Sequence, residues 1–310
     1  MKKQIHYPIV FIFDTNAFSY LADDKHFEYV LEKIRNQNDT VFPLFSLINF
    51  YEYLKGINND SILRKRQNYM KAIKKITVGG SIFLNPTSHV QYFTNQITTD
   101  QAKNEADFFI KMINLFLSLK NYRDYEDSFK ELLKDVNSRI EEIIAGYKSM
   151  RDILVGTKRG YSKDGLKDVF KNRFSKSPLK EDYEILAPNI ISRFKLKLDL
   201  KNKDISIELS KYPSINYFID VYWKYIGQLI FNEREPAWGD YFDLEQMVYL
   251  NIADYFVTNE NRVRLWINEN HNPELRGRAL SPEKFINILD NSIIEKKAKQ
   301  NFSLEWLSLK

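Results

Sequence analysis

The chain contains no cysteine, only 10 glycines and 9 prolines, and no long apolar run. Without cysteine there is no disulfide, no thiol nucleophile and no thiolate-bound metal, and this composition is typical of a reducing cytosol. No apolar stretch approaches the roughly 18 residues of a membrane span. The short apolar run after residues 1–4 ends at Asp14, so we expect neither a signal peptide nor membrane association, and cytoplasmic localisation is the expectation.

Aromatic residues are abundant, with 22 Phe and 19 Tyr among 310 residues, so the chain can bury a sizeable core. The net charge of +5 is too small to indicate a nucleic-acid partner by itself. The four histidines are scattered and form no HExxH motif, which argues against a zinc site. There is also no GxGxxG, no Walker-type loop and no GxSxG, so nucleotide-binding and serine-hydrolase classes are not expected.

The hydrophobic pattern changes along the chain. Residues 9–13 form a fully apolar run, which predicts a buried strand of a parallel sheet. Residues 40–45 predict a second strand, where Pro43 indicates an edge or an interruption. Strand and helix patterns return after residue 236, whereas residues 92–235 read as mostly helical. We therefore predict an α/β domain formed by 1–91 and 236–310, interrupted by a large helical insertion at 92–235.

Acidic residues follow two of the predicted strands and lie on two predicted helices. Asp14 ends the first strand, and Glu260 follows the strand that ends before Thr258. Glu52 lies near the second turn of the helix that begins at Ser46, and Asp240 and Asp243 lie at the start of a later helix, where one of them is the expected N-cap. Carboxyl ends of parallel strands meet at one edge of a sheet, so these acids are expected to converge there.

Converging carboxylates need either protons or a cation. Two like charges at about 4 Å repel by roughly 4 kcal/mol at an effective dielectric near 20. A site that offers only oxygen ligands favours Mg²⁺ or Mn²⁺. Each acid taken alone also has a structural explanation, as an N-cap or a solvated helix residue, so the hypothesis depends on their joint spacing. A haloacid-type phosphatase with Asp14 as nucleophile is a weaker alternative, because its second acid would fall at Asn16.

Together these motifs resemble the PIN-domain nucleases. The resemblance covers roughly residues 8–90 and 236–290, and it comprises Asp14-Thr15-Asn16 after the first strand, the segment from Ser46 to Glu52, and Asp243 fifteen residues before Thr258. It implies a three-layer, PIN-like α/β domain with a parallel sheet. The metal ligands that it implies are Asp14, Glu52 and Asp243, with Glu260 in the fourth acidic position and Asn16, Ser46, Thr258 and Asp240 as supporting residues.

The resemblance also implies an activity. It predicts a Mg²⁺- or Mn²⁺-dependent endoribonuclease of toxin or defence type, acting on single-stranded RNA, with an antitoxin or regulatory protein and a second copy of the chain as candidate partners. The family usually has Asp where this chain has Glu260, and a longer side chain can act through a water molecule. That departure leaves an alternative, a catalytically inactive PIN-like module that binds nucleic acid or protein.

A basic segment at 157–180 is the expected nucleic-acid contact. Lysine and arginine neutralise phosphates, and the interleaved aromatic rings can stack on unpaired bases. The alternative explanation is a solvated loop and helix face. The residues assigned to this contact are Lys158, Arg159, Lys163 and Lys167, together with Arg262 near the predicted metal site.

Overall fold

Five short parallel strands form one sheet with the order β3-β2-β1-β4-β5 in the computed structural model, which describes residues 9–22, 26–36, 41–77, 82–156, 163–198 and 204–291. The chain is otherwise mostly helical in these ranges. The strands are β1 Ile9–Phe13, β2 Val41–Ser46, β3 Ile82–Phe83, β4 Tyr255–Val257 and β5 Ala279–Leu280. The sheet therefore combines two distant parts of the chain, as the predicted α/β pattern requires.

Helices surround this sheet. In the N-terminal part they are α1 Thr15–Leu21, α2 Phe27–Asn36, α3 Leu47–Leu54, α4 Asp60–Ile76 and α5 Pro86–Phe93. The middle part contains α6 Thr99–Ser118, α7 Tyr122–Gly156, α8 Lys163–Phe174, α9 Lys180–Arg193, α10 Ile205–Ser210 and α11 Pro213–Phe231. The last part has α12 Trp238–Glu245, a 3-10 helix at Gln246–Asn251, α13 Asn261–Asn268 and α14 Pro282–Asn291.

Strand β1 is central and buried on both faces. Val10 and Ile12 join one hydrophobic cluster with α9, α11 and the 3-10 helix, whereas Phe11 and Phe13 join a second cluster with α1, α2, α3, α4 and α14. Successive side chains of a strand point to opposite faces, so a continuous apolar run is what a strand between two helical layers needs. The result is an α/β arrangement with helices on both faces of the sheet.

The part of the chain predicted as an insertion packs onto the sheet. In the described ranges its elements from α6 to α11 are all helices, and α11 buries most of its length in the same cluster as Val10 and Ile12. The division of the chain into two domains stays a prediction. None of the helices in the described ranges combines the length and apolarity that a membrane crossing requires.

Pro43 lies inside β2, which has neighbours on both sides, so it marks neither an edge strand nor an interruption. Pro43 is in register with Phe11 of β1. On the other side, the pairing of β2 with β3 covers only Phe45 and Ser46. Proline lacks the N–H that a ladder needs. In the described residues, the observed pairing of β2 with β3 therefore does not include Pro43.

Candidate active site

The predicted acidic positions lie at the carboxyl edge of the sheet. Asp14 directly follows β1, and its N–H donates to the carbonyl of Val257 at 3.0 Å, at the end of β4. Thr258, the next residue after β4, therefore stands beside Asp14. Parallel pairing of β1 and β4 thus brings together two segments that are 244 residues apart.

Asp14 caps helix α1 and is also hydrogen-bonded to Thr258 at the candidate site. Its side chain is 4% exposed, and Oδ1 accepts a hydrogen bond from the Ala17 N–H at 2.5 Å, which caps α1. Its Oδ2 accepts from the hydroxyl of Thr258. The pKa of Asp14 is raised to about 7, mainly by burial; the hydrogen bonds from Thr258 and Ala17 oppose this shift, and the charges of Glu52 and Glu260 add to it. The acid is thus both an N-cap and a perturbed carboxyl group.

Glu52 is positioned through a chain of polar contacts that begins at the start of α3. Ser46 and Asn49 form a capping box there, and the Asn49 side-chain amide donates to the hydroxyl of Thr15 at 3.1 Å. The Thr15 side chain is also hydrogen-bonded to Glu52. Burial raises the pKa of Glu52, and the charge of Glu260 adds to this, while Thr15, Arg66 and Lys55 oppose it. Ser46 therefore supports Glu52 indirectly.

Asp243 completes an electrostatically coupled set. Its pKa lies well above the usual range, first because it is buried, then because of the charge of Asp14, with Glu52 adding to the effect. The guanidinium of Arg262 lies 3.2 Å from an Asp243 carboxylate oxygen and opposes the shift. Three acids from separate segments, Asp14, Glu52 and Asp243, therefore share one electrostatic environment.

Asp240 is not the N-cap of its helix. The N-cap of α12 is Ala237, and Asp240 is the third helical residue, whose Oδ2 accepts from the Ala237 N–H at 2.7 Å. The same carboxylate accepts from the Tyr225 hydroxyl at 3.1 Å and pairs with Arg234 at 3.0 Å. The helix starts earlier than the sequence indicated because an acid at the third position can bond back to the N-cap N–H. Asp240 thus ties α12 to α11.

Glu260 is held beside Asp14. The Asn16 side-chain amide donates to a Glu260 carboxylate oxygen at 3.1 Å, and the Glu260 N–H donates to the Thr258 hydroxyl oxygen at 3.0 Å. Glu260 is half-buried. Asn16, Thr258 and Glu260 therefore form a connected group at the edge of the acid set, with Thr258 bridging to Asp14.

Of the basic residues predicted to contact nucleic acid, only Arg262 has a described side chain. Lys158 and Arg159 lie outside the described residues, and Lys163 and Lys167 lie on α8, where only the backbone is described at these positions. The expectation that this segment borders the acids stays a prediction. Arg262 does lie at the site, because it pairs with both Asp243 and Asp240 at 3.2 Å. In this arrangement its guanidinium neutralises acids and is not free for a phosphate.

Sequence reasoning missed Thr15, Asn49 and Arg66. Thr15 and Asn49 connect the ends of two strands across 34 residues, and Arg66 acts on Glu52 from α4. The only signal in the sequence was that Thr15 falls inside the Asp14-Thr15-Asn16 motif and Asn49 falls at the position of a capping box after Ser46.

The carboxylates of Asp14, Glu52 and Asp243 are suitable ligands for a hard divalent cation, since Mg²⁺ and Mn²⁺ prefer carboxylate oxygens. Geometry is less complete: across the described ranges, no three His, Asp or Glu side chains form a group that could hold a metal ion as they stand. Arg262 occupies part of the space between Asp240 and Asp243 as a monovalent partner. Ligation by Asp14, Glu52 and Asp243 together therefore requires side-chain movement.

Comparison with known proteins adds nothing to this description: no family model matches the chain, and neither a curated protein nor a solved structure matches it.

Proposed function

We propose that the chain is a PIN-like, Mg²⁺- or Mn²⁺-dependent nuclease that hydrolyses phosphodiester bonds of single-stranded RNA. One observation carries the proposal: Asp14, Glu52 and Asp243 come from distant segments, yet the charge of Glu52 raises the pKa of Asp14, and the charges of Asp14 and Glu52 raise the pKa of Asp243. Folding confines these like charges at one sheet edge at a free-energy cost, which a divalent cation would offset. The α/β arrangement, with acids after β1 and β4, supports the PIN-like assignment.

Each residue has a role that follows from its contacts. Thr258 orients Asp14, Thr15 orients Glu52, and Asn16 holds Glu260 where it can act on a water molecule. Arg262, once released from Asp243, can turn its guanidinium towards a phosphate oxygen. A bound divalent ion would supply an activated water and neutralise developing charge on the phosphodiester. Asp14, Glu52 and Asp243 would hold it.

A second candidate is a PIN-like module that binds nucleic acid or protein without cleaving it. The pairing of Arg262 with Asp240 and Asp243 favours it, because an arginine that neutralises two acids reduces the need for a metal. Metal-dependent cleavage of RNA separates the two candidates, since a binding module would leave the RNA intact at any Mn²⁺ concentration.

The decisive variant is Asp14→Asn. A neutral amide is a poor ligand for a hard dication, so Mn²⁺-dependent cleavage of a single-stranded RNA should fall by more than the roughly 10- to 100-fold that follows loss of a residue orienting a ligand. The fold should survive because asparagine caps helices as well as aspartate does. The matched control is Asp107→Asn, the same substitution at an exposed acid on α6.

A thermal melt provides a readout that does not depend on activity. Mn²⁺ should raise the melting temperature of the wild-type protein and of Asp107→Asn, and it should raise that of Asp14→Asn much less. Undiminished cleavage by Asp14→Asn, or wild-type cleavage that persists in EDTA, would contradict the proposed mechanism.

A further inference from the structure

A basic groove runs along the outer side of α4. It has a volume of about 620 Å³, and the residues that characterise it are Phe27, Arg64, Lys65, Tyr69, Lys71 and Lys75. We call it the α4 groove. Four of these six side chains are cationic and two are aromatic, and within the described part of the chain no carboxylate lines it.

The rotation of α4 about its own axis determines which side chains face the groove. Gln67 donates from its side-chain amide to the carbonyls of Phe116 and Leu119, at 2.8 and 3.0 Å, which anchors one face of the helix against the end of α6. The buried residues follow helical spacing, at Leu63, Gln67, Met70, Ile73 and Ile76. Arg64, Lys65, Lys71 and Lys75 are therefore turned outward and are exposed.

Within α4 itself, basic residues outnumber acidic ones. Six of its 17 residues are Lys or Arg and one is Asp. Among the described residues, none of the four groove cations forms an ion pair; instead Lys65 lies over the ring of Tyr69 and Lys75 over the ring of Phe27, each 5.7 Å from the ring centroid. Lys71 and Lys75 are four residues apart, a spacing at which like charges destabilise a helix. A polyanion would relieve that repulsion.

Helix α4 reaches the acid site through Arg66, in its second turn. The guanidinium of Arg66 lies 5.3 Å from the centroid of the Tyr53 ring, and its charge lowers the pKa of Glu52. The Tyr53 hydroxyl in turn donates to the backbone carbonyl of Thr15 at 3.2 Å. Arg66, which shares α4 with the four groove cations, therefore links this helix to the carboxylates at the sheet edge.

We propose that the α4 groove binds the sugar-phosphate backbone of single-stranded RNA and leads it to the acid site. This inference rests on the proposed nuclease function for the fate of the RNA. Arg64, Lys65, Lys71 and Lys75 contact successive phosphates. When Lys65 and Lys75 turn from the half-buried rings of Tyr69 and Phe27 to the phosphates, unpaired bases stack on these rings. The helix is roughly 25 Å long at 1.5 Å per residue, which spans several phosphates.

Binding is tested separately from cleavage, in the Asp14→Asn protein, with a fluorescent oligouridylate whose anisotropy is followed at several KCl concentrations. The test variant adds Arg64→Gln and Lys71→Gln. The matched control adds Lys103→Gln and Lys111→Gln, which remove two exposed charges from α6 instead. Glutamine is a good helix former, so both proteins should have the same melting temperature as the Asp14→Asn protein from which they are made.

The test variant should bind the oligouridylate about tenfold more weakly at low salt, and the slope of log affinity against log salt should fall by about 1.4, at roughly 0.7 per phosphate contact of a single strand. The control should match the Asp14→Asn protein in both its affinity for the oligouridylate and the salt dependence of that affinity. Equal binding by the test variant and the control would overturn the proposal. So would binding of polyglutamate in place of oligouridylate, which would indicate an acidic protein partner.

The two proposals fail in different ways. If the wild-type protein cleaves RNA with Mn²⁺ but the test variant binds as tightly as the control, the groove is wrong and the nuclease stands. If no cleavage occurs but the test variant loses binding, the groove stands as a nucleic-acid surface and the nuclease is wrong.

Discussion

The Asp14 carboxyl group is buried, caps α1 and faces Glu52 and Glu260. Its pKa in the folded protein is about 7, against an ordinary value of 3.8. Between these two values the folded state holds a proton that the unfolded state has released. Asp14 therefore stabilises the metal-free fold most at acid pH, and this contribution is lost as the pH rises towards and through 7.

The free energy of unfolding of the metal-free protein should accordingly decrease between pH 5 and pH 8. The decrease should be smaller in Asp14→Asn, which has no proton to lose, but it should not vanish, because burial also raises the pKa of Asp243. Urea denaturation in EDTA across this pH range measures how steeply the free energy of unfolding falls with pH in the wild-type protein and in Asp14→Asn. Identical slopes for the two proteins would show that Asp14 does not titrate there. Saturating Mn²⁺ should flatten the wild-type slope, because the ion binds the ionised form.

At the scale of elements, side-chain hydrogen bonds from Asn49 and Tyr53 join helix α3 to α1. Asn49 is fully buried, and its carbonyl oxygen accepts from the Ser46 N–H at 3.0 Å and from the Ser46 hydroxyl at 2.6 Å, while its NH₂ donates to Thr15. Asn49→Ala should lower the free energy of unfolding by about 1 to 3 kcal/mol, because it removes a cap and leaves buried polar groups unpaired.

The same substitution should also weaken Mn²⁺ binding, because Thr15 loses the amide that orients it towards Glu52. Asn59→Ala is the matched control, since Asn59 caps α4 at an exposed position through a 3.0 Å bond from the Ile62 N–H. The control should lose stability with an unchanged Mn²⁺ response. If both variants keep the wild-type response, Asn49 has a structural role alone.

Much of the fold at this scale could be predicted from local pattern. The apolar run of β1 indicated a buried parallel strand, and this strand is present; the site predicted at its end stays a prediction. Contacts between side chains distant in sequence could not be predicted. The pairing of Asn49 with Thr15 depends on the register of two strands, and the rotation of α4 depends on Gln67 reaching α6, 49 residues away. For the same reason the α4 groove could not be inferred.

At the scale of the whole molecule, one hydrophobic cluster includes residues of β1, α9, α11, the 3-10 helix and α13. Gly227 lies where α11 meets α8, and a Cβ at this position would stand 2.5 Å from Cγ of Phe174. Gly227→Ala should therefore force these helices apart and cost about 1 to 3 kcal/mol. Since the cluster is continuous, urea unfolding should remain a single transition, shifted to lower urea.

Gly156→Ala is the control for this substitution, because beyond its chain neighbours and its own helix backbone, no heavy atom of the described residues lies within 4 Å of the added Cβ. It should leave stability unchanged or raise it slightly, through the lower entropy of the unfolded chain. A Gly227→Ala protein as stable as Gly156→Ala would show that Phe174 can move aside without cost. Two separate transitions in either protein would show that the helical part unfolds independently of the sheet.

The position of β1 between β2 and β4 has a consequence for how the protein is made. Strand β1 leaves the ribosome before Thr258, whose hydroxyl donates to Asp14 and which lies 244 residues later in the chain. At roughly 5 to 20 residues per second, about 10 to 50 s of translation separate the two. During that interval one edge of β1 has no strand to pair with and the acid set lacks Asp243. Nascent chains should therefore depend on chaperones that cover β1, and the acid set forms only after Asp243 and Thr258 have been synthesised.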